Sequence, residues 1–228
     1  MKKIVLILSI VIFLGVASSA SAHLPRIVNG ESVIIQTPEV SQAFYAELQG
    51  KPAEYLINSD ASFNLYINLL VPESSNPDGR YSANIFQIKD GKEELVVFVD
   101  GVAIKWQEYW EDFGRDFYFK GPEFEKQVEA GSYKIVISGN DNQGKYVLAI
   151  GKEEKFTPEE ILKVYWVLPQ LKIYFFKTPI IEFFKTPFVL IGAMVLVALL
   201  IIIILIFSLI SKAIKKIIKK LRPKSILD

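Results

Sequence analysis

The chain contains no cysteine and a single histidine, His23. Without thiols an exported domain cannot be a disulfide scaffold, and thiol nucleophiles and Cys-based metal sites are excluded. With one imidazole, neither a Ser-His-Asp nor a Cys-His catalytic set can form within the chain. A copper brace on His23, freed at a new N-terminus, would lack its second ring. No Asn begins an Asn-x-Ser/Thr triplet, which disfavours a heavily N-glycosylated surface protein. Asn140-Asp-Asn-Gln-Gly144 lacks the alternating carboxylates and closing Glu of a calcium loop and reads as a hairpin turn. No catalytic residue set, metal site or cofactor motif is left, so the chain reads as a non-enzyme.

Charge of one sign is scarce at either end of the molecule, although the totals nearly cancel at 26 Lys and Arg against 25 Asp and Glu. From His23 to Phe156 the acids outnumber the bases by 21 to 13, whereas Lys212 to Lys224 holds seven bases and no acid. An acidic domain disfavours nucleic acid, whose phosphates call for a clustered basic face that releases counterions.

Two hydrophobic runs set the topology. Lys2 and Lys3, the apolar run Ile4 to Val16 and the small residues Ala20-Ser21-Ala22 form a secretory signal over residues 1–22. An uncleaved signal anchor stays open as the alternative, because residues 4–22 are uncharged and just long enough to span. The second run, residues 186–211, carries no charge over 26 residues. A bilayer core of roughly 30 Å needs about 20 such residues in a helix. Lys212, Lys215, Lys216, Lys219, Lys220, Arg222 and Lys224 follow it, against Lys172, Lys177 and Lys185 before it. That asymmetry places the N-terminal domain outside the cell membrane and the C-terminus in the cytoplasm, with a single pass between them. Gly192, Ala193 and Ala198 are not in small-xxx-small register, so dimerisation through a glycine groove is unsupported. In the tail, residues 212–228, the apolar positions Ala213, Ile214, Ile217, Ile218 and Leu221 recur at helical spacing between the lysines. Each lysine near an anionic leaflet contributes about 1 kcal/mol of attraction, so membrane lipid is the expected partner of this segment.

Between the runs, short stretches rich in β-branched and aromatic residues alternate with turn dipeptides. Arg26-Ile27-Val28 and residues 31–35 flank Asn29-Gly30, the pair preferred in a two-residue hairpin turn. Further strands are expected at 44–48, 53–58, 63–71, 81–88, 94–99, 124–130, 133–138 and 145–150, with turns at Asp78-Gly79, Asp90-Gly91, Asp100-Gly101 and 139–144. Helix signals fall at 38–42 and after Phe156. Eight or nine strands at this spacing indicate an all-β, antiparallel sandwich over residues 23–156.

Phe63-Asn-Leu65-Tyr66-Ile-Asn-Leu-Leu-Val71, Phe124 to Gly139 with its Ala130-Gly131-Ser-Tyr133 step, and Gly144-Lys-Tyr146-Val-Leu148 together resemble the pre-peptidase C-terminal type of β-sandwich. The likeness covers roughly residues 53–151, with no counterpart for 101–122. It implies a jelly-roll-like fold and an accessory role without catalytic residues.

Residues 157–185 form an aromatic juxtamembrane connector. Thr157 can cap a helix that has Pro158 at its first position and Glu159 and Glu160 in its first turn, and Pro169 is expected to end or kink it. Phe175-Phe-Lys-Thr-Pro179 recurs as Phe183-Phe-Lys-Thr-Pro187. Aromatic side chains beside a span favour the headgroup region, which marks Trp166 and Tyr174 as interface residues together with the tail lysines. A docking stretch for a partner membrane protein is the alternative.

The segment richest in recognition chemistry is 106–119. Trp106, Tyr109, Trp110, Glu111 and Asp112 set indole and phenol faces beside carboxylates, a combination suited to a sugar ring or an organic cation. The alternative is that its aromatic side chains fill one end of the sandwich while the acids face water, and at least one indole is expected to be structural. Two functions remain: a membrane-tethered extracytoplasmic binding or accessory module, whose partner is an envelope protein or glycan, and a structural subunit of a membrane complex that makes contact through its connector and helix.

Overall fold

The computed structural model describes residues 23–30 and 32–221, the last three by their backbone alone. The signal segment, residues 1–22, lies outside the described residues, as do Glu31, Arg222 and Lys224. The described chain forms eleven strands: β1 (Leu24–Ile27), β2 (Ser32–Ile35), β3 (Gln42–Gln49), β4 (Ala53–Ser59), β5 (Phe63–Pro72), β6 (Tyr81–Lys89), β7 (Lys92–Val99), β8 (Gln107–Glu111), β9 (Asp116–Val128), β10 (Gly131–Gly139) and β11 (Gln143–Ile150). One sheet runs β1-β3-β11-β5-β9-β8 and the other β2-β4-β10-β6-β7.

Alternation along each strand builds the core between the sheets. Phe44, Ala46 and Leu48 of β3, Leu65, Ile67 and Leu69 of β5, and Tyr146, Leu148 and Ile150 of β11 meet Tyr55 and Ile57 of β4, Ala83 and Ile85 of β6, and Ile135 and Ile137 of β10. Each Leu, Ile or Phe among them contributes roughly 1.5–3 kcal/mol when fully buried. The buried phenols of Tyr55 and Tyr146 bond each other at 2.9 Å, so neither carries an unmet polar group into the core.

Two sequence expectations fail in the first forty-odd residues. Asn29-Gly30 does not close a hairpin: β1 pairs in parallel with β3 and β2 in parallel with β4, so the turn carries the chain from one sheet to the other. The reason is that Ile35 belongs to the inter-sheet core while Leu24 is buried elsewhere, which a two-stranded ribbon could not satisfy. Nor is 38–42 helical, because Val40 bridges to Glu153 and Gln42 opens β3.

The stretch 101–122 adds the rest. Here the chain enters β8, turns, and begins the long β9, which carries a bulge where β5 passes from Asn68 to Leu70. The bulge exposes two carbonyls, and the Asn68 amide covers them, its Nδ2 donating to Pro122 O at 3.1 Å and to Gly121 O at 3.4 Å. Gly121 is required at this point, since an added Cβ would lie 2.5 Å from the Trp106 ring.

After Glu153 the chain crosses the outer face of the first sheet as a strap. Thr157 accepts the Glu160 amide while the Glu160 carboxylate accepts the Thr157 amide, a capping box that starts α1 (Pro158–Gln170). The α-helical part of α1 stops at Gln170, one residue past Pro169, and the chain loosens into a π-turn, Leu171–Phe175, closed by Phe176 N–H donating to Leu171 O at 2.8 Å. A single turn, α2 (Ile181–Phe184), follows. Val164, Leu168, Leu171 and Phe175 recur at helical spacing and are buried. This cover explains why β5 is buried on both faces, with Tyr66, Asn68 and Leu70 on the strap side. Sandwich and strap belong to one compact unit ending at Pro187.

The remaining unit contains α3 (Pro187–Leu221), an unbroken helix whose segment 187–218 is long and apolar enough to cross a membrane. The basic tail residues up to Leu221 continue this helix.

Candidate functional site

The β8–β9 hairpin decides which polar and aromatic residues come together. Its ladder sets Tyr109 opposite Tyr118 and Glu111 opposite Asp116, and these four share the outer face of the sheet beneath the strap. Trp110 lies opposite Phe117 on the other face. The turn is held by Glu111, whose carboxylate accepts the amides of Phe113 at 2.8 Å and Gly114 at 2.6 Å, while Arg115 takes a left-handed φ of 56°. Burial pushes the Glu111 carboxyl up, and the two amides pull it back.

Lys172 of the π-turn enters the same hairpin from above. Its side chain is 1% exposed and its ammonium donates to Asp116 Oδ1 at 2.7 Å, to Gly114 O at 2.5 Å and to Arg115 O at 3.3 Å. Burial pushes the Asp116 carboxyl up to about 6, against the pull of that ammonium. A second lysine secures the strap from below: Lys145 of β11 donates to Tyr174 O at 2.6 Å and Phe175 O at 2.8 Å. Ser74 and Ser75 donate to Phe176 O and Phe175 O, each at 2.7 Å. These bonds satisfy carbonyls that a helix end would otherwise leave unmet. Arg26 of β1 ties the start of α1 through Glu160 at 2.8 Å.

Between sheet and strap lies a cavity of about 210 Å³, lined chiefly by Tyr45, Tyr66, Tyr109, Tyr118, Phe113 and Phe176, with the carboxylates of Glu111 and Asp116. The Tyr45 and Tyr118 hydroxyls bond each other at 3.0 Å, and burial raises both phenols far above their ordinary range. His23 and Asn68 are also on the wall. The His23 ring bonds the Ser41 hydroxyl through Nδ1, and burial lowers it to about 4, so it is neutral at pH 7.

The five residues singled out from the sequence therefore separate. Tyr109 and Glu111 reach the cavity. Trp106 is 5% exposed in the inter-sheet core, its Nε1–H donating to Gly101 O at 2.7 Å, and is closed to external ligands. Trp110 packs against Phe117, with ring centroids 4.5 Å apart, and donates to Asp112 in the turn at 2.8 Å. The remaining residues of the site carry no local signal: Tyr45 and His23, on the cavity wall, are distant in sequence, and Lys172, which holds Asp116 from above, reads as a membrane-flanking charge. Period-two alternation within each arm groups Tyr109 with Glu111 and Asp116 with Tyr118, but the four-residue turn between the arms shifts the parity, so only the folded hairpin joins the two pairs.

Of the interface residues, Trp166 is 78% and Tyr174 73% exposed, on the side of the strap away from Leu168 and Leu171. Lys212, Lys215 and Lys216 are exposed on α3, and the side chains of Lys219 and Lys220 lie outside the described residues. Among the described residues no three His, Asp or Glu side chains are grouped to hold a metal ion.

No family model matches the chain, and no curated protein matches it. Among solved structures it is similar to the pre-peptidase C-terminal domain of a Bacillus anthracis collagenase, at 13% identity and a TM-score of 0.34, over 54% of this chain and 96% of that one. The Yersinia pseudotuberculosis-derived mitogen is similar at 13% identity and a TM-score of 0.34, over 53% and 92% of the two chains. CorA, a surface-associated copper-binding protein of Methylomicrobium album, is similar at 7% identity and a TM-score of 0.29, over 56% and 100%. At these scores the likeness is weak and bears on neither ligand nor activity.

Proposed function

We propose that the chain is a non-catalytic binding module tethered to the membrane, with its sandwich on the extracytoplasmic side and its C-terminus in the cytoplasm. The observation that carries this reading is α3: none of its most apolar stretch is buried, and Leu196, Ile204 and Phe207 stand open along it. Apolar surface on that scale needs a lipid environment. The orientation follows from the lysines. Three lysines, Lys172, Lys177 and Lys185, precede the span, against seven Lys and Arg in 212–224 after it, which supports a cytoplasmic C-terminus. Membrane lipid is then the partner of Trp166, Tyr174 and the tail.

A second reading, a structural subunit of a membrane complex, is favoured by one feature: Leu162, Trp166, Ile173 and Tyr174 are all exposed on the strap, and such a face suits a partner protein as well as a headgroup layer. Fractionation tests the first reading. In a bacterial host, the full chain should stay in the membrane pellet through an alkaline carbonate wash, and a chain ending at Pro187 should be released on the extracytoplasmic side. Full-length protein in the soluble fraction, or a truncated chain retained in the cytoplasm, would overturn it. Co-purification of a stoichiometric partner that is lost on replacing Trp166 and Tyr174 would favour the second reading.

A further inference from the structure

We propose that the cavity beneath the strap binds a small organic cation of the alkylammonium class. The inference rests on the reading of the chain as a binding module and names the ligand of that site. Size limits the choice first. A cavity of about 150 Å³ admits a benzene-sized molecule, and pockets for drug-sized ligands begin at roughly 300 Å³. At about 210 Å³ the space takes one small molecule and excludes a peptide or a sugar chain.

The walls favour positive charge. Tyr118 lies 5.5 Å from Phe176 and 6.4 Å from Tyr109, and Tyr45 lies 6.1 Å from Phe176, measured between ring centroids. Tyr66 and Phe113 extend the lining. Several aromatic side chains thus line one small space, and such rings attract ammonium groups through their quadrupoles, as Tyr66 already does with Lys152 at 4.3 Å and Phe176 with Lys172 at 5.6 Å.

The charges on the wall do not cancel. Lys172 neutralises Asp116, and Lys120, also on the wall, pairs with Glu123 at 2.9 Å. His23 is neutral at pH 7. Glu111 accepts two backbone amides, but among the described residues no cationic side chain forms an ion pair with it. Glu111 and Asp116 thus share a single ammonium, that of Lys172, which pairs directly with Asp116 and acts on Glu111 only at longer range, and the Glu111 field adds to burial in raising the phenols of Tyr45, Tyr109 and Tyr118. A bound cation would supply the missing charge.

Two further groups fit a polar substituent on that cation. Asn68 commits its Nδ2 to the bulge carbonyls, which leaves its amide oxygen as an acceptor. The Tyr45 and Tyr118 hydroxyls share one hydrogen bond, which leaves one O–H to donate.

The test is calorimetric titration of the full chain in phosphatidylglycerol nanodiscs with choline, tetramethylammonium and 3,3-dimethyl-1-butanol, the uncharged isostere of choline. Choline should bind saturably at one site, with the isostere about tenfold weaker or worse. Tyr109→Ala and Glu111→Gln should each weaken choline by about tenfold, and Tyr109→Phe should keep it. Absence of saturable binding, or equal affinity for choline and its isostere, would overturn the proposal. That comparison uses the wild-type chain, so it decides the matter even if Glu111→Gln loosens the turn. Repeating the titration in phosphatidylcholine nanodiscs separates sources: unchanged choline binding supports a free cation, and competition by the lipid supports a headgroup of the same class. Neither result depends on which side of a cell membrane the domain occupies, so failure here and failure of the topology remain distinguishable.

Discussion

Replacing Lys172 by Met removes the ammonium that reaches into the β8–β9 turn. The side chain is 1% exposed and its partner Asp116 7%, so water cannot substitute freely for the lost donor. Removing one member of a buried ion pair costs about 3–5 kcal/mol. The lower end applies here, because Asp116 has an escape. Its carboxyl already stands at about 6, and protonation at pH 7 costs about 1.4 kcal/mol per unit of separation. A loss of about 3 kcal/mol is therefore expected at pH 7. The pH dependence fixes the cause. Without the ammonium, the folded carboxyl rises further above its unfolded value of about 3.9. A group raised in the folded state contributes stability that is complete below the unfolded value and is lost as pH rises through the folded one. The deficit of Lys172→Met relative to wild type should therefore shrink between pH 7 and pH 5, and Lys172→Met/Asp116→Asn should recover part of it at pH 7. Urea unfolding of a chain ending at Pro187, followed by tryptophan emission, reads all three. A deficit below about 1 kcal/mol, or one that grows on acidification, would refute the reasoning.

Three further outcomes are expected. Trp106→Ala should cost about 3–5 kcal/mol in thermal or urea unfolding, as a large core truncation does, whereas Trp110→Ala on the outer hairpin should cost far less; equal losses would contradict the two placements. His23 is lowered to about 4 in the folded state from an ordinary 6.5, so the unfolded chain takes up its proton first as pH falls. Wild type should lose more stability than His23→Asn between pH 6.5 and 4, by at most about 3 kcal/mol, and parallel pH profiles would exclude a buried neutral ring. A chain ending at Phe156 uncovers Tyr45, Leu70, Tyr118 and Val147, and should melt lower and bind a hydrophobic dye more than one ending at Pro187; identical melts would mean that the strap does not stabilise the sheet.

What could be read from the sequence divides along lines of interaction range. Strands β3, β4, β6 and β10 announce themselves by alternation along one buried face, and β5, β7 and β11 by β-branched and aromatic runs between turn residues, all of them local signals. The capping box at Thr157 and the uncharged run of α3 are local too. Failures came where distant packing decides. Asn29-Gly30 has the residues of a hairpin turn, but the partners of β1 and β2 are β3 and β4, more than ten residues on. The strand β8 is short, mostly polar and at an edge, so Gln107–Glu111 carries little hydrophobic pattern. Lys172 carries no such local signal. A lysine among aromatic residues ahead of a span is ordinarily solvated, and only the hairpin folded beneath it supplies Asp116 and two carbonyls. The candidate site inherits the same limit. Tyr109 and Glu111 are two residues apart and could be paired by alternation, whereas Tyr45 and Phe176 meet them only through the sheet order and the strap.

The absence of cysteine makes one measurement of the whole account unusually direct, because any introduced thiol is the only one in the chain. Asp60→Cys places it in an exposed turn of the sandwich and Lys216→Cys in the exposed basic part of α3. Intact cells treated with a membrane-impermeant maleimide should label Asp60→Cys at once and Lys216→Cys only after the membrane is opened. Labelling of Lys216→Cys in intact cells, with Asp60→Cys protected, would contradict an extracytoplasmic module tethered by a single span.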